Sequence, residues 1–289
     1  YLYIEVWSVK GVLMQKKPKL VLCDVDKTII GTDYRPNSPG LARSVLAVQN
    51  DGMLIGLNSD SPMLRMQEWA ANFGMRGPII SELGGAFAYQ DDTIFLRERD
   101  PWIKLFTLVI NRIRLVFPNV RILSCDSTEF IRDVGDIDSP DSDWIILNSL
   151  RSVSFACLFR RLVNRSLVID NALSESFSRF ILSIVDEIGM RSYLSEPDVN
   201  HDYGIMILHE KGASKSWALS HIKEIFPNRQ VYMIGDSMGD FLADKSIIQC
   251  AVGNASEEYK SHCQSKLVAP SDEILTKGVE YLLAHIAKV

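Results

Sequence analysis

The apolar run Leu20-Val21-Leu22-Cys23 ends abruptly in Asp24-Val25-Asp26-Lys27-Thr28. The run has the length of a buried strand, and residues i and i+2 of a strand share a face. Where a strand ends the chain turns, so Asp24 and Asp26 can converge on one pocket. Two carboxylates about 4 Å apart repel by about 4 kcal/mol at an effective dielectric of 20, unless a cation lies between them. The pair therefore points to a hard divalent cation, Mg²⁺, at the carboxyl end of a parallel strand. The other Asp-x-Asp pairs, Asp136/Asp138 and Asp141/Asp143, follow no apolar run and read as loop.

The design recurs. Val231-Tyr232-Met233-Ile234-Gly235-Asp236-Ser237-Met238-Gly239-Asp240 is a second apolar run, with a glycine for a tight turn and then two carboxylates. Between the two, Met53-Leu54-Ile55-Gly56-Leu57-Asn58-Ser59-Asp60 is an apolar strand that ends in a hydroxyl, and Lys211-Gly212-Ala213-Ser214-Lys215-Ser216 opens a helix. In this order, the four segments resemble the motifs of the haloacid dehalogenase (HAD) superfamily. The resemblance spans about residues 18–85 and 203–289, and includes Cys250-Ala251-Val252-Gly253-Asn254-Ala255, similar to the strand and turn that follow the last motif in sugar-phosphatase members.

Strands alternate with helices on both sides of a long interruption. Strands are expected at 19–23, 53–57 and 78–81, with helices at 41–49 and 62–73. After residue 203 come strands at 204–208, 230–234 and 248–252. Helices are expected at 214–226, near 239–247 and 255–264, and from 271 onward. This pattern predicts an α/β fold: a three-layer, Rossmann-like core with a parallel sheet, formed by 18–85 and 203–289, and its site at the carboxyl ends of the strands. Glu82-Leu83-Gly84-Gly85 reads as a hinge into a cap domain over 86–202. Too few residues separate Asp24 from Ser59 to hold a cap there, so the insertion falls between the second and third motifs. That position resembles the HAD branch with α/β caps, which includes Cof-type sugar phosphatases, the sucrose-, trehalose- and mannosylglycerate-phosphate phosphatases and the phosphomannomutases.

The chain has 289 residues, 47% of them apolar, enough for a full core and two domains. Its net charge of −5, without a basic block, argues against nucleic acid and anionic membranes as partners. No apolar run approaches the roughly 20 residues that span a bilayer. The five cysteines are scattered and lack metal-site spacing, so they read as reduced thiols of a cytoplasmic protein. Glu5 and Lys10 interrupt the first apolar stretch, which is unlike a secretory signal. Residues 1–17 read as an N-terminal extension to which the sequence assigns no role.

The resemblance implies a Mg²⁺-dependent phosphatase acting on a small phosphorylated metabolite, a sugar phosphate. Asp24 would attack phosphorus and Asp26 would serve as general acid and base. Asp24, the backbone carbonyl of Asp26 and Asp236 would hold the metal, with Asp240 a ligand or a support behind one. Ser59 and Lys215 would bind the phosphoryl group. Bland readings stand beside these: strand-end turns for Asp24/Asp26 and Gly235-Asp236, and a helix cap for Ser59. Ser214 is a fair N-cap, which puts Lys215 in the first helical turn, where a lysine opposes the helix dipole unless an anion compensates. Lys211 is the rival, read as a solvated charge. The chain departs from the family pattern at Ser59-Asp60-Ser61, where relatives often have Thr-Gly-Arg. It departs also at Leu83 and Gly239, where they often have Asn. The alternatives are a phosphohexomutase of the phosphomannomutase type and a catalytically weak sugar-phosphate-binding protein. The acidic run 133–143 lacks the glycine and glutamate of a calcium loop and reads as solvated.

Overall fold

A computed structural model describes residues 17–96 and 98–289. Apart from Lys17, the N-terminal extension lies outside the described residues. The elements in chain order are β1 (Lys19–Cys23), α1 (Leu41–Asn50), β2 (Leu54–Asn58), α2 (Met63–Phe73), β3 (Ile79–Ser81), β4 (Ala86–Tyr89) and β5 (Asp92–Phe95). Then come α3 (Asp100–Val116), β6 (Arg121–Cys125), α4 (Ser127–Asp133), β7 (Ser142–Asn148), β8 (Ser154–Val163), β9 (Ser166–Val168), α5 (Asn171–Glu187), β10 (Asp198–Asn200) and β11 (Ile205–His209). The chain finishes with α6 (Lys215–Ile225), β12 (Gln230–Gly235), β13 (Ile247–Ala251), α7 (Glu257–Ser261) and α8 (Leu275–Lys288).

Two sheets result. The larger runs β13-β12-β1-β2-β3-β4-β5. It is parallel from β13 to β3 and closes on an antiparallel hairpin, β4–β5. Alternation along β1 explains the layering. Val21 and Cys23 share a core with Leu41 and Val45 of α1 and Val279 and Leu282 of α8, whereas Leu20 and Leu22 share one with Ala218, Leu219 and Ile222 of α6. A strand apolar on both faces has to be covered on both, and each such side chain, fully buried, contributes about 1.5–3 kcal/mol. The smaller sheet runs β10-β11-β8-β7-β6, with β9 paired to β8. Phe155, Cys157 and Phe159 of β8 join a core with Trp102, Leu105 and Val109 of α3 and Phe177 and Ile181 of α5.

Sheet membership moves both edges of the expected insertion. Residues 86–95 form β4 and β5 on the larger sheet, and β11, expected to resume that sheet, pairs with β8 and β10 in the smaller one. The helix expected near 239–247 does not form. Asp240 accepts the N–H groups of Asp236 (3.0 Å) and Ser237 (3.3 Å), which fixes a 3₁₀ turn over Met238–Asp240, and Phe241 leaves it extended. Among the described residues no helix is long and apolar enough to cross a membrane, and all five cysteines are free.

Candidate active site

Register alone brings the carboxylates together. β1 pairs with β12 from Lys19–Gln230 to Cys23–Ile234, and the Asp24 N–H then donates to the Ile234 carbonyl at 2.9 Å. Asp24 therefore leaves the sheet beside Gly235 and Asp236. Carboxylate oxygens of Asp24, Asp236 and Asp240 lie within 4.8 Å of one another. Gly235 makes this approach possible, since a Cβ there would stand 2.4 Å from Asp240 Oδ2.

Lys215 enters from α6. Ser214 caps that helix by accepting the Trp217 N–H at 3.1 Å, as the sequence suggested, and the lysine follows in the first turn. Its Nζ donates to Asp240 Oδ1 at 2.5 Å and to Asp24 Oδ1 at 3.5 Å, with all three side chains buried. Lys211, the rival, is exposed. The helix start is locked in place by the hinge: Gly84 (φ +89) lies so close to α6 that a Cβ would come within 2.0 Å of the Ser214 carbonyl oxygen. Glu82 and Leu83 also have positive φ, so three left-handed residues in succession turn the chain here.

The charge balance of the cluster is uneven. Burial would lower the pKa of Lys215, but Asp24 and Asp240 more than offset this and hold it charged. Burial pushes the Asp24 carboxyl well above the usual range; Lys215 opposes this, while Asp240, Asp26 and Asp236 reinforce it. Asp236 is pushed up to about 6 by burial and by Asp240, against Lys27 and Lys215. One buried lysine thus does not satisfy this many carboxylates, and the deficit is positive charge. The donors are hard oxygens, so the set fits a divalent cation such as Mg²⁺.

Asp26 follows two residues on, at the turn that leaves β1, and is more accessible than the buried Asp24. Its carboxyl is raised by the surrounding protein and by Asp60, and lowered by Lys215, Arg151 and a hydrogen bond from the Ser59 side chain. A carboxyl raised above its ordinary value and pulled between opposing charges suits a group that both gives and takes protons. Ser59, at the end of β2, is buried, and its Oγ also accepts the Ser61 N–H at 3.2 Å.

Sequence reasoning missed the partners from the smaller sheet. Asp60 accepts two hydrogen bonds from Arg151, both at 3.2 Å, and lies 3.4 Å from His209 Nε2. Burial pushes the His209 imidazole down, outweighing Asp60. Arg151 also donates to Ser154 Oγ at 2.9 Å. Glu82, fully buried, accepts the N–H groups of Ser152 (2.9 Å) and Val153 (3.0 Å) and the Ser154 hydroxyl (2.5 Å). The carboxylate of Asp60 and the buried acid in the hinge were the available signals: each predicts a partner, though neither says which. The run 133–143 is mostly exposed, and Arg161 meets Asp143 at 2.8 Å, in keeping with a solvated loop.

The fold resembles that of solved HAD-like hydrolases: a parallel α/β core with a second α/β sheet inserted between its strands. A HAD-like hydrolase from Bacteroides thetaiotaomicron superposes with a TM-score of 0.62 at 17% identity, over 93% of this chain and 100% of its own. A HAD subclass IIB sugar phosphatase gives 0.55 at 14% identity, over 94% of this chain and 100% of its own. A protein from Thermoplasma acidophilum gives 0.56 at 16%, over 93% and 96%. No family model and no curated protein matches the chain.

Proposed function

We propose that the chain is a Mg²⁺-dependent phosphatase that hydrolyses a small phosphorylated metabolite, a sugar phosphate, through an aspartyl-phosphate on Asp24. The observation that carries this reading is the placement of Lys215 against Asp24 and Asp240 at the ends of adjacent parallel strands, in a cluster short of positive charge. The structural likeness to a sugar phosphatase supports the reaction class.

Asp24 attacks phosphorus in line with the ester oxygen, forming the acyl-phosphate bond as the ester P–O bond breaks. Asp26, protonated at this stage, gives its proton to the departing alkoxide. Water then attacks the same phosphorus; Asp26 takes its proton, and Asp24 leaves as carboxylate. Lys215 offsets negative charge on Asp24 and on the transferring group, and Ser59 donates to a phosphoryl oxygen. Mg²⁺, held by Asp24, Asp236 and the carbonyl of Asp26, with Asp240 as a further ligand or a support for the turn, would neutralise the phosphoryl oxygens. The bonds from Glu82 and Asp60 to the smaller sheet hold that sheet over the site, where it can limit access of water.

Phosphate release from a panel of sugar phosphates, measured with Mg²⁺ and with chelator, tests the proposal. Metal-dependent release that Asp24→Asn abolishes is expected. A folded protein that binds Mg²⁺ and releases phosphate from none of the panel would contradict it.

A further inference from the structure

The face of β8 turned away from its helices carries Ala156, Leu158 and Arg160, which line a cavity of about 240 Å³ together with Tyr34 from the loop between β1 and α1, Asn148, Arg151 and Tyr203. Two arginines reach this cavity, and they differ. Arg151 is neutralised by Asp60. Arg160 is only 9% exposed, and among the described residues it forms no ion pair. Its Nη1 donates to the carbonyls of Phe159 (2.7 Å), Tyr203 (3.0 Å) and Gly204 (3.0 Å). Burial lowers its pKa, and Tyr34 opposes this.

This is a built position. Gly204 (φ +54) leaves room for the guanidinium, because a Cβ there would stand 2.8 Å from Nη1. Three carbonyl dipoles hold one nitrogen and leave the rest of the fork to serve another acceptor. A buried guanidinium without a carboxylate is costly, and an anionic ligand recovers that cost through paired, charge-assisted hydrogen bonds. The cavity adjoins the candidate site through Arg151, which lines it and donates to Asp60, next in sequence to Ser59. Tyr34 has φ 56, a left-handed conformation that a bulky residue rarely adopts.

We propose that Arg160 receives a second anionic group of the substrate, a carboxylate or a second phosphate, while the scissile phosphate sits at Asp24. The substrate class is then a phosphorylated sugar acid or a sugar bisphosphate, in preference to a sugar monophosphate with a neutral remainder. The proposal rests on the phosphatase reading.

The test compares kcat/KM for phosphate release from glucose 6-phosphate, 6-phosphogluconate and fructose 1,6-bisphosphate. Wild-type protein should prefer at least one doubly anionic ester over glucose 6-phosphate by about tenfold or more. A lead for 6-phosphogluconate identifies a carboxylate, and a lead for the bisphosphate a phosphate. Arg160→Gln should erase the preference mainly through KM, and Arg160→Lys should restore part of it. Equal turnover of all three by wild type overturns the inference and leaves the phosphatase reading standing, whether or not the variants fold. So does a preference that survives in folded Arg160→Gln. If none is turned over, calorimetric titration of Asp24→Asn with 6-phosphogluconate, fructose 1,6-bisphosphate and glucose 6-phosphate decides. Tighter binding of either doubly anionic ester, lost on adding Arg160→Gln, supports the anion site although the phosphatase reading has failed; no such difference overturns it.

Discussion

Replacing Lys215 by Met keeps the aliphatic stem and removes the cation between Asp24 and Asp240. At 3.5 Å, a unit charge pair at an effective dielectric of 20 is worth about 5 kcal/mol, and the 2.5 Å contact somewhat more. The lysine's own desolvation offsets much of this, so removing one partner of such a buried set costs about 3–5 kcal/mol. In a chain of this size, 1 kcal/mol shifts Tm by about 2–4 °C, so Lys215→Met should melt about 6–20 °C below wild type in chelator. A divalent cation supplies the missing positive charge, so saturating Mg²⁺ should reduce the gap to less than half. The pH dependence has a definite sign. Lys215 has a folded pKa above its unfolded value, so its contribution is complete below the unfolded pKa of about 10.4 and fades as pH rises through the folded one. The gap between variant and wild type should therefore narrow in strong alkali, and also in acid, where Asp24 takes up a proton and no longer pairs with the lysine. Thermal unfolding followed by circular dichroism, with and without metal, reads all of this. A gap that is the same with Mg²⁺ as with chelator would refute the account of the cluster as short of positive charge.

Other perturbations probe neighbouring parts. Asp60→Asn removes a negative charge that raises the Asp26 carboxyl and frees Arg151 to lower it, so the alkaline limb of the pH–rate profile should move to lower pH; an unmoved limb would separate Asp60 from the acid/base step. Asp236, raised to about 6 without metal, must lose its proton to bind a cation, as must Asp24, so Mg²⁺ affinity should climb at least tenfold per pH unit up to about pH 6. For the same reason the metal-free fold takes up a proton at Asp236 that the unfolded chain does not hold, and its stability from this group should fall as pH rises from about 4 to 6. Titrations of thermal stability with Mg²⁺ at several pH values check both statements. Gly84→Ala drives a methyl group into the Ser214 carbonyl and should displace Lys215, lowering both stability and turnover, whereas at Gly239 a Cβ meets nothing nearer than Ser237 Oγ at 3.5 Å and Gly239→Ala should leave stability within about 0.5 kcal/mol of wild type. Comparable stability for the two variants would remove the hinge from the explanation.

What could be read from the sequence was local. Asp24, Ser59, Lys215 and Asp236 each sit at the end of a strand or the start of a helix, where an apolar run or a cap marks the place within a few residues. Parallel pairing of β1 with β12 then brings distant carboxylates level without further information. What escaped was pairing between distant segments. Arg151 lies 91 residues from Asp60, and Ser154 lies 72 from Glu82, and no periodicity links either pair. The misplaced edges of the insertion have the same origin: β4, β5 and β11 have strand-like sequences that do not specify which sheet they join. The missing helix after Asp240 is a local failure, in which a carboxylate accepting two backbone N–H groups outweighed helical spacing.

The central claim is that Asp24 carries the phosphoryl group. The most direct measurement is a single turnover of a sugar phosphate with Mg²⁺, quenched in acid, reduced with borohydride and mapped by peptide mass spectrometry. The account predicts reduction of the Asp24 side chain alone, and no modification in Asp24→Asn. Metal-dependent turnover with Asp24 unmodified, or with another residue modified in its place, would contradict it.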